Sequence, residues 1–376
     1  METIVRQLNS GEDAQICEQA AHIIQSGGLV AFPTETVYGL GGNGLDPSAA
    51  RKIYEAKGRP SDNPLILHVA DLSQIPPLVR EFPEKARRLA EALWPGPLTV
   101  ILPKSGLVPP EVTGGLETVA IRFPSHPGAQ AFIRAAGCPI AAPSANLSGR
   151  PSPTNAQDVL EDLDGRIPLI LDGGESRIGL ESTIVDLSGE VPTVLRPGYY
   201  GLPQLRELLG TVAVDPAVLR SLEENERPKA PGMKYRHYAP KVSLTLVEGE
   251  DEARAAYIRK QTKKGKKTAV LICRETLPLY GGGRDLILLP LGSRKDDAEI
   301  ARRLFAVLRS LDRLELDRVY SETFGEGPLG EAIMNRLRKA AGFRIIRLPL
   351  EEEAEESKAP ETETGPAAAS AKAADK

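Results

Sequence analysis

Six positively charged side chains fall within loops rich in glycine, proline and serine in the first 240 residues of the chain. They are Lys57, Arg59, Arg122, Arg196, Lys234 and Arg236. Arginine binds carboxylate and phosphate oxygens through a planar fork, whereas lysine supplies a compact charge. A surface salt bridge would explain any one of these residues alone. Six of them in such loops predict a pocket that accommodates several negative charges.

Hydroxyl and amide side chains occur in the same loops, and such groups orient a polar ligand without adding charge. They are Thr34, Thr36, Asn63, Ser144, Asn146, Ser152, Ser182 and Thr183. The pattern indicates no catalytic nucleophile, because Cys17, Cys138 and Cys273 are predicted to be structural. No H-x-x-x-H motif or cysteine cluster predicts a metal site in the protein. The residues therefore favour phosphoryl or nucleotidyl transfer by positioning and charge neutralisation, with Mg²⁺ carried on the phosphates of a nucleotide such as ATP.

One glycine motif suggests a different chemistry. Residues 39–44, GLGGNG, satisfy the G-x-G-x-x-G pattern of dinucleotide-binding proteins. That site requires an uninterrupted strand, turn and helix with an acidic residue at a second strand end. Here about seven residues separate the preceding strand from the glycines, and Asp62 lies in a proline-rich loop. We therefore reject the nicotinamide interpretation. The chain also lacks a P-loop and the G-x-S-x-G motif of hydrolases.

Length and composition set outer limits on the fold. The chain has 376 residues, of which 41% are hydrophobic and 26% charged, so it is predicted to form more than one soluble domain. No apolar run approaches the length of a membrane helix, and the first residues do not resemble a signal peptide. Three separated cysteines exclude a disulfide framework. We therefore expect no membrane association and a cytoplasmic location.

Strand and helix patterns divide the chain into four parts. Residues 1–210 alternate short apolar runs with amphipathic segments, which predicts a mixed α/β domain with a twisted sheet. Residues 211–240 contain a polar, proline-containing linker. Residues 241–350 show a regular β-α-β order, which predicts a smaller, Rossmann-like parallel α/β domain. Residues 351–376 carry a net charge of −5 and are predicted to be a disordered acidic tail.

Four of the loops carry a family resemblance. They read FPTETVYGL at 32–40, KGRPSDNPL at 57–65, PSANLSG at 143–149 and PGMKYRHYAP at 231–240. In order and spacing, residues from about 12 to 240 resemble the YrdC-type threonylcarbamoyl-AMP synthases, so the first domain is expected to be YrdC-like. Residues 241–350 resemble the additional domain of the longer members of that family.

The resemblance implies a nucleotidyltransferase reaction. L-Threonine, bicarbonate or CO₂, and ATP would give L-threonylcarbamoyladenylate and pyrophosphate, for N6-threonylcarbamoyladenosine formation in tRNA. The threonine amine would capture CO₂, and the carbamate oxygen would attack the α-phosphate. Because ATP, bicarbonate, the carbamate and pyrophosphate are anionic and threonine carries a carboxylate, this reaction would account for the cations and for the missing nucleophile. Downstream threonylcarbamoyl-transferase machinery and a weak contact with tRNA are the partners expected.

The resemblance also assigns residues by motif. Threonine binding is expected from Thr36, His68, Arg122, Ala142 and Ser182. ATP binding is expected from Arg59, Asn63, Thr118, Ser144, Ser152, Arg196 and Tyr235. Stabilisation of the transition-state charge is expected from Lys57, Arg59, Ser144 and Asn146. Since Tyr235 lies on the linker, segment 211–240 is expected to act as a lid that excludes water from the active site.

Two other functions remain open from the sequence. The first is a binding module that holds tRNA or double-stranded RNA without catalysis. Its cations would be expected along an exposed stripe with interleaved aromatic residues, and aromatic residues make up only 5% of this chain. The second is carbamoyl transfer in metallocentre assembly. Proteins of that kind carry zinc-finger cysteines, which this chain lacks.

Overall fold

The structure is a computed structural model that describes residues 2–9, 11, 13–220, 226, 228–233, 237–262, 265–325 and 327–349. Lys234, Tyr235 and Arg236, and the tail predicted at 351–376, lie outside the described residues. Among the helices of the described ranges, none combines the length and the apolar character needed to cross a bilayer.

The N-terminal region alternates strands and helices along the chain. Its strands are β1 (Ile4–Gln7), β2 (Val30–Phe32), β3 (Gly39–Asn43), β4 (Ile66–His68), β5 (Leu98–Pro103), β6 (Thr118–Arg122), β7 (Ile140–Ala142), β8 (Leu169–Asp172), β9 (Thr183–Asp186), β10 (Thr193–Arg196) and β11 (Ala213–Val214). Its helices are α1 (Asp13–Gln25), α2 (Pro47–Lys57), α3 (Glu84–Leu93), α4 (Pro110–Thr113), α5 (Pro127–Ala136), α6 (Ala156–Leu163) and α7 (Leu202–Leu209).

These strands form a single mixed sheet in the described part of the chain, with the order β1-β8-β2-β3-β7-β4-β6-β5-β9-β10-β11. Its centre combines both pairing modes: β4 is parallel to β6 and antiparallel to β7, and β5 is antiparallel to β6 and parallel to β9. Helices pack on the sheet through buried apolar faces, such as Ala86, Leu89, Ala90 and Leu93 of α3. The mixed α/β fold predicted for this region is confirmed.

The C-terminal region is a parallel α/β unit. Its elements are β12 (Leu244–Glu248), α8 (Asp251–Gln261), β13 (Thr268–Cys273), α9 (Leu277–Tyr280), β14 (Leu286–Gly292), α10 (Asp297–Ser310), β15 (Arg318–Ser321), α11 (Gly330–Ala340) and β16 (Ile345–Arg347). The strands lie in the order β14-β13-β15-β12-β16, and every pair is parallel. The interior strand β13 is buried along its whole length, as expected of a parallel sheet covered on both faces. The predicted parallel sheet is confirmed.

The ends of helix α2 fix the position of Lys57. Asp46 caps the N-terminus by accepting a hydrogen bond from the Ser48 backbone N–H, and Pro47 occupies the first turn. Gly58 ends the helix in the left-handed conformation, with φ of 59°. Lys57 is therefore the last helical residue, and its side chain is buried.

Helix α10 of the C-terminal region packs against the N-terminal region. Tyr238 stacks on Phe305 of α10, with 5.1 Å between the ring centroids. Arg309 of α10 is buried and pairs with Asp158 and Asp162 of α6, at 3.1 and 2.9 Å. Removing one partner of such a buried pair would leave an uncompensated charge, so these contacts fix the two regions in one arrangement.

Candidate active site

A cavity opens at the central strands β4, β6 and β7 of the N-terminal sheet. Loops 34–39 and 143–152 and parts of the linker complete its wall. Eight of the residues assigned from the sequence line it, namely Arg59, His68, Arg122, Ala142, Ser144, Asn146, Ser152 and Arg196. Residues separated by more than 130 positions in sequence thus surround one space, with three guanidinium groups among them.

Arg122 and His68 are neighbours across the sheet. They face each other in the parallel register of β4 and β6. Arg122 is buried and its NH2 lies 2.9 Å from Oε1 of Glu35 and 3.5 Å from Oγ1 of Thr34. Glu35 therefore compensates the charge of the buried guanidinium beside the cavity.

The imidazole of His68 is neutral in this setting. Burial, together with the nearby charge of Arg122, lowers its pKa to about 3. Nδ1 lies 3.1 Å from the carbonyl oxygen of Ile66, in position to donate a hydrogen bond, and the ring contacts Phe32 edge to face. His68 can therefore orient a polar group of a ligand without adding positive charge.

Lys57 lies behind the cavity wall instead of lining the cavity. Its Nζ donates hydrogen bonds to the carbonyl oxygen of Ser144, to the carbonyl oxygen of Asn146 at 2.5 Å and to Oδ1 of Asn146 at 3.3 Å. Ser144 Oγ donates in turn to Asn146 Oδ1 at 2.5 Å. Burial, reinforced by Arg59, lowers the pKa of Lys57 well below that of an exposed lysine, and Asp162 opposes this effect. Lys57 thus determines the shape of the loop that presents Ser144 and Asn146.

The KGRPSDNPL segment folds back on Arg59. NH2 of Arg59 donates to the carbonyl oxygens of Asn63 and Pro64, at 3.2 and 3.1 Å. Asn63 is buried, and its Oδ1 has no hydrogen-bond partner within the described part of the chain. Because a buried polar atom without a partner is unfavourable, this acceptor is suited to a donor that a ligand brings.

Another part of the cavity wall contains Arg196 and Ser152, with the buried Ser182 behind them. Arg196 donates from Nε to the carbonyl oxygen of Ser182 at 3.0 Å and from NH2 to its Oγ at 3.1 Å. Burial is the main cause that lowers the pKa of Arg196, to about 10, so it stays charged at neutral pH. Ser152 Oγ donates to Glu181 Oε1 at 2.6 Å. Hydroxyl and guanidinium groups on this wall are thus fixed by partners.

Five assigned residues do not line the cavity. Lys57 lies behind the loop as described, and Asn63 is buried in the segment that follows Arg59. Thr36 and Ser182 are fully buried, and their hydroxyls lie 2.9 Å from Thr34 Oγ1 and 2.7 Å from Thr99 Oγ1. Thr118 begins β6, four residues before Arg122, and is therefore about 13 Å from it along the strand. The role assigned to Thr118 remains a prediction.

The structure adds residues that the sequence did not single out for the site. Glu181 lines the cavity, although it directly precedes Ser182 in a conspicuous polar run. Arg336 and Lys339 of α11 reach the same wall from the C-terminal region: Arg336 pairs with Glu181, and Lys339 Nζ donates to the carbonyl oxygen of Gly232 at 2.5 Å. Burial is the main cause that lowers the pKa of Lys339 to about 7. Nothing local in the sequence marks these two residues.

Parts of the linker also contact the cavity. Pro231, Gly232, His237 and Tyr238 line it, on either side of the segment outside the described residues. The carbonyl oxygen of Pro231 accepts a hydrogen bond from Arg196 NH1 at 3.3 Å. Gly232 has φ of 83°, and a Cβ there would lie 3.1 Å from the Tyr238 hydroxyl, so glycine fits this turn best.

The acidic residues Glu181, on the cavity wall, and Glu35, next to the lining residue Thr34, already have cationic partners. Glu35 pairs with Arg122, and Glu181 pairs with Arg336. Among the residues that the structure describes, no group of three or more histidine, cysteine, aspartate or glutamate side chains is placed to hold a metal ion. The donor set is therefore suited to anions, including the phosphates of a nucleotide.

Comparisons with known proteins agree with this geometry. A family model described as telomere recombination, which groups Sua5, YciO and YrdC proteins, matches residues 22–198. A second model, described as the C-terminal domain of threonylcarbamoyl-AMP synthase, matches residues 202–342. Together these models cover both structural regions.

Full-length relatives match across most of the chain. The threonylcarbamoyl-AMP synthase of Pyrococcus abyssi is 49% identical and covers 88% of this chain and 95% of its own length. That of Bacillus subtilis is 48% identical and covers 90% and 96%. The crystal structure of P. abyssi Sua5 complexed with L-threonine superposes with a TM-score of 0.85 at 47% identity, over 92% of this chain and all of the other. The chain belongs to the threonylcarbamoyl-AMP synthase family.

Proposed function

We propose that this protein is an L-threonylcarbamoyladenylate synthase, an enzyme that forms threonylcarbamoyl-AMP and pyrophosphate from L-threonine, bicarbonate or CO₂, and ATP. The observation that carries the proposal is the convergence of Arg59, Arg122 and Arg196 on one cavity. Family members at 48–49% identity carry the name of this activity, and one structural relative was crystallised with L-threonine. Three cations in one enclosed space suit a reaction that brings several anions together.

The threonine subsite is assigned to the wall formed by β4, β6 and β7. Arg122 would clamp the substrate carboxylate, and Glu35 would compensate its charge when no ligand is bound. His68, being neutral and donating from Nδ1 to Ile66, would accept a hydrogen bond at Nε2 from a donor of the substrate. Ala142 would contribute its backbone, while Thr36 and Ser182 would support the wall from their buried positions. This arrangement would leave the threonine amine directed towards the nucleotide side.

The chemistry requires two bond-forming steps. The threonine amine attacks the carbon of CO₂ and loses a proton, which gives a carbamate. A carbamate oxygen then attacks the α-phosphorus of ATP, and the bond from that phosphorus to the departing pyrophosphate breaks. Since no protein nucleophile takes part, the enzyme acts by positioning the reactants and stabilising charge.

The nucleotide subsite is assigned to the opposite wall. Arg59, Ser144, Ser152 and Arg196 line the cavity there, and the free acceptor of Asn63 lies in the adjoining segment. Lys57 would act through the loop, because its Nζ donates to the carbonyl oxygens of Ser144 and Asn146. The predictions for Thr118 and for Tyr235, which lies outside the described residues, complete this set.

Mg²⁺ is expected to arrive with ATP. The ion would screen the phosphates and favour departure of pyrophosphate. Arginine and hydroxyl groups make up the donor set of the wall, and Glu181 and Glu35 already bind arginines. These residues therefore suit a metal–nucleotide complex in which the phosphates hold the ion.

The remaining parts of the chain are assigned around this site. Residues 1–210 would form the catalytic domain, 211–240 a linker that closes the active site, 241–350 an accessory domain and 351–376 an acidic tail. The linker assignment is supported by Pro231, Gly232 and Tyr238, which line the cavity. The product would pass to the threonylcarbamoyl-transferase machinery that modifies tRNA, and the reaction would then take place in the cytoplasm.

The direct test is pyrophosphate release from ATP and bicarbonate with each amino acid in turn. We expect release with L-threonine and its loss in Arg59→Ala. The matched control is Arg51→Ala, because Arg51 forms an exposed ion pair with Glu111 away from the cavity. Absence of pyrophosphate release, combined with RNA binding that weakens steeply with salt, would instead support a binding module. Near-normal turnover of Arg59→Ala would reject the role of Arg59.

A further inference from the structure

Arg336 is a fully buried arginine of the C-terminal region, and its side chain contacts the wall of the cavity. It lies on α11, and its Nε donates to Oε2 of Glu181 at 3.0 Å. NH2 donates to the carbonyl oxygen of Glu181 at 3.2 Å, and NH1 donates to that of Pro197 at 2.5 Å. One side chain therefore holds both the carboxylate and the backbone of Glu181.

The two oxygens of Glu181 have different partners. Oε2 accepts from Arg336, and Oε1 accepts from the hydroxyl of Ser152 at 2.6 Å. Burial raises the pKa of Glu181, but the charges of Arg336 and Arg196 and the hydrogen bond from Ser152 outweigh this effect, so the pKa is lowered overall. Glu181 is therefore an anion at neutral pH, so the Ser152 proton points at the carboxylate. The lone pairs of the Ser152 oxygen therefore point away from the carboxylate and can accept hydrogen bonds from other groups.

Without Arg336, the cations that remain near Glu181 are Arg196 and Lys339. Arg196 is already engaged with Ser182 and Pro231. Arg336 neutralises the charge of Glu181, so the charge of Arg196 remains available to an anion in the cavity. Loss of Arg336 would let Glu181 turn towards Arg196 and release Ser152.

We propose that Arg336 is a positioning residue for ATP binding that acts through Glu181 on Ser152. The inference rests on the proposed function, in which Ser152 contacts ATP. It gives the C-terminal domain a part in the nucleotide subsite, although α11 lies some 150 residues further along the chain. Arg336 itself need not touch ATP.

A purely structural role for Arg336 predicts a different result. Loss of a buried interdomain ion pair would then lower stability and weaken both substrates together. A positioning role through Ser152 would weaken ATP selectively. It would also make the effects of Arg336 and Ser152 non-additive, since the second substitution removes a group that the first has already released.

A double-mutant cycle with Arg336→Met and Ser152→Ala tests this. Binding of MgATP and of L-threonine would be measured separately by calorimetry on the full chain. We expect each single variant to weaken ATP binding about tenfold, the effect of one charge-assisted hydrogen bond. The double variant should remain at about tenfold instead of the hundredfold that independent effects would give. Threonine binding should stay within about twofold of wild type.

Arg313→Met is the matched control. Arg313 is also an arginine that pairs across the two regions, 2.6 Å from Glu161, but its partners do not include the cavity wall. Its ATP affinity should equal that of the wild type. Combined with Ser152→Ala, it should bind ATP as weakly as Ser152→Ala alone.

The outcomes separate the two proposals. A hundredfold loss in the double variant, or equal losses of ATP and threonine binding in Arg336→Met, would overturn the positioning role. If Arg336→Met does not fold, Glu181→Gln takes its place in the same cycle, with the same expected non-additivity. Pyrophosphate release by the wild type is assayed in parallel. Its absence would refute the synthase function, while the calorimetric cycle would still decide the role of Arg336.

Discussion

The buried pair of Arg122 and Glu35 allows folding and threonine binding to be separated. Their side chains are 5% and 4% exposed, and Arg122 NH2 lies 2.9 Å from Glu35 Oε1. Arg122→Met leaves the carboxylate buried without its cation. Breaking a buried pair in this way costs about 3–5 kcal/mol of unfolding free energy. We expect a loss of that size in urea unfolding.

The same substitution should remove the clamp on the substrate carboxylate. Hydrogen bonds to charged groups contribute about 1.5–3 kcal/mol, which corresponds to a loss of threonine affinity of about 10- to 150-fold. The double variant Arg122→Met/Glu35→Gln also removes the orphaned charge, so most of the stability should return. Threonine affinity should stay low, because nothing replaces the guanidinium.

Calorimetric titration with L-threonine and urea unfolding of the same preparations provide the assay. Arg51→Met is the control: its ion pair with Glu111 is exposed, so its stability should change by less than about 1 kcal/mol and its threonine affinity should not change. If the double variant binds threonine within about threefold of wild type, Arg122 is not the carboxylate clamp. If Arg122→Met unfolds at the wild-type urea concentration, the argument from the buried pair fails.

Two further predictions concern His68 and Lys57. The folded-state pKa of His68, lowered by burial and Arg122 to about 3, lies below the unfolded value near 6.5. Its contribution to stability is therefore present above about pH 6.5 and lost as the pH falls towards 3, and its imidazole NMR signals should not titrate between about pH 8 and 5; a midpoint in that range would contradict the assignment. Lys57→Met leaves the carbonyl oxygens of Ser144 and Asn146 without their donor, so pyrophosphate release should fall about 100-fold through misplacement of the loop. Turnover within about fivefold of wild type in a folded variant would show that Lys57 does not position this loop.

Residue types and spacing were sufficient to predict much of the site. Arg122 and Arg196 follow apolar runs, and the sheet brings the ends of these strands, β6 and β10, to one cavity. Ser144 and Asn146 lie in a short polar loop between predicted elements. In α/β proteins ligands bind where the carboxyl ends of the strands meet, so a polar residue at the end of an apolar strand is a candidate for the site. The relation between an apolar strand and the polar residue at its end involves only neighbouring residues, so it can be recognised in a single sequence.

Strand β3 shows where local patterns mislead. Its sequence, GLGGN, has the composition of a loop, yet it pairs with both β2 and β7. The reason is tertiary packing: a Cβ at Gly39 or Gly41 would lie 3.0 Å from the ring of Phe32. The glycines leave room for an aromatic ring on the neighbouring strand, which strand propensity does not capture. The same packing explains why the G-x-G-x-x-G match is not a dinucleotide motif.

Lys57 shows a second kind of difference. The sequence places it at the start of a loop, as one of the cations expected to face the ligand. Asp46 and Gly58 define a helix that ends at Lys57, and the side chain then reaches the back of the loop that contains Ser144. The element was predictable, but the direction of the side chain depends on a loop almost 90 residues away.

Charge placement across the two regions follows from the chemistry of the cavity. A site for several anions needs an excess of cations. Guanidinium groups that lie close together repel each other, however, and need anionic partners when no ligand is bound. Glu35 and Glu181 supply that compensation, and each then needs a fixed position of its own. Arg122 holds Glu35 within the N-terminal sheet, whereas Glu181 is held by Arg336 of α11. The wall assigned to ATP therefore depends on the C-terminal domain, and the wall assigned to threonine does not. On this argument, loss of the C-terminal domain should weaken ATP binding more than threonine binding, because the partner of Glu181 is lost while that of Glu35 remains.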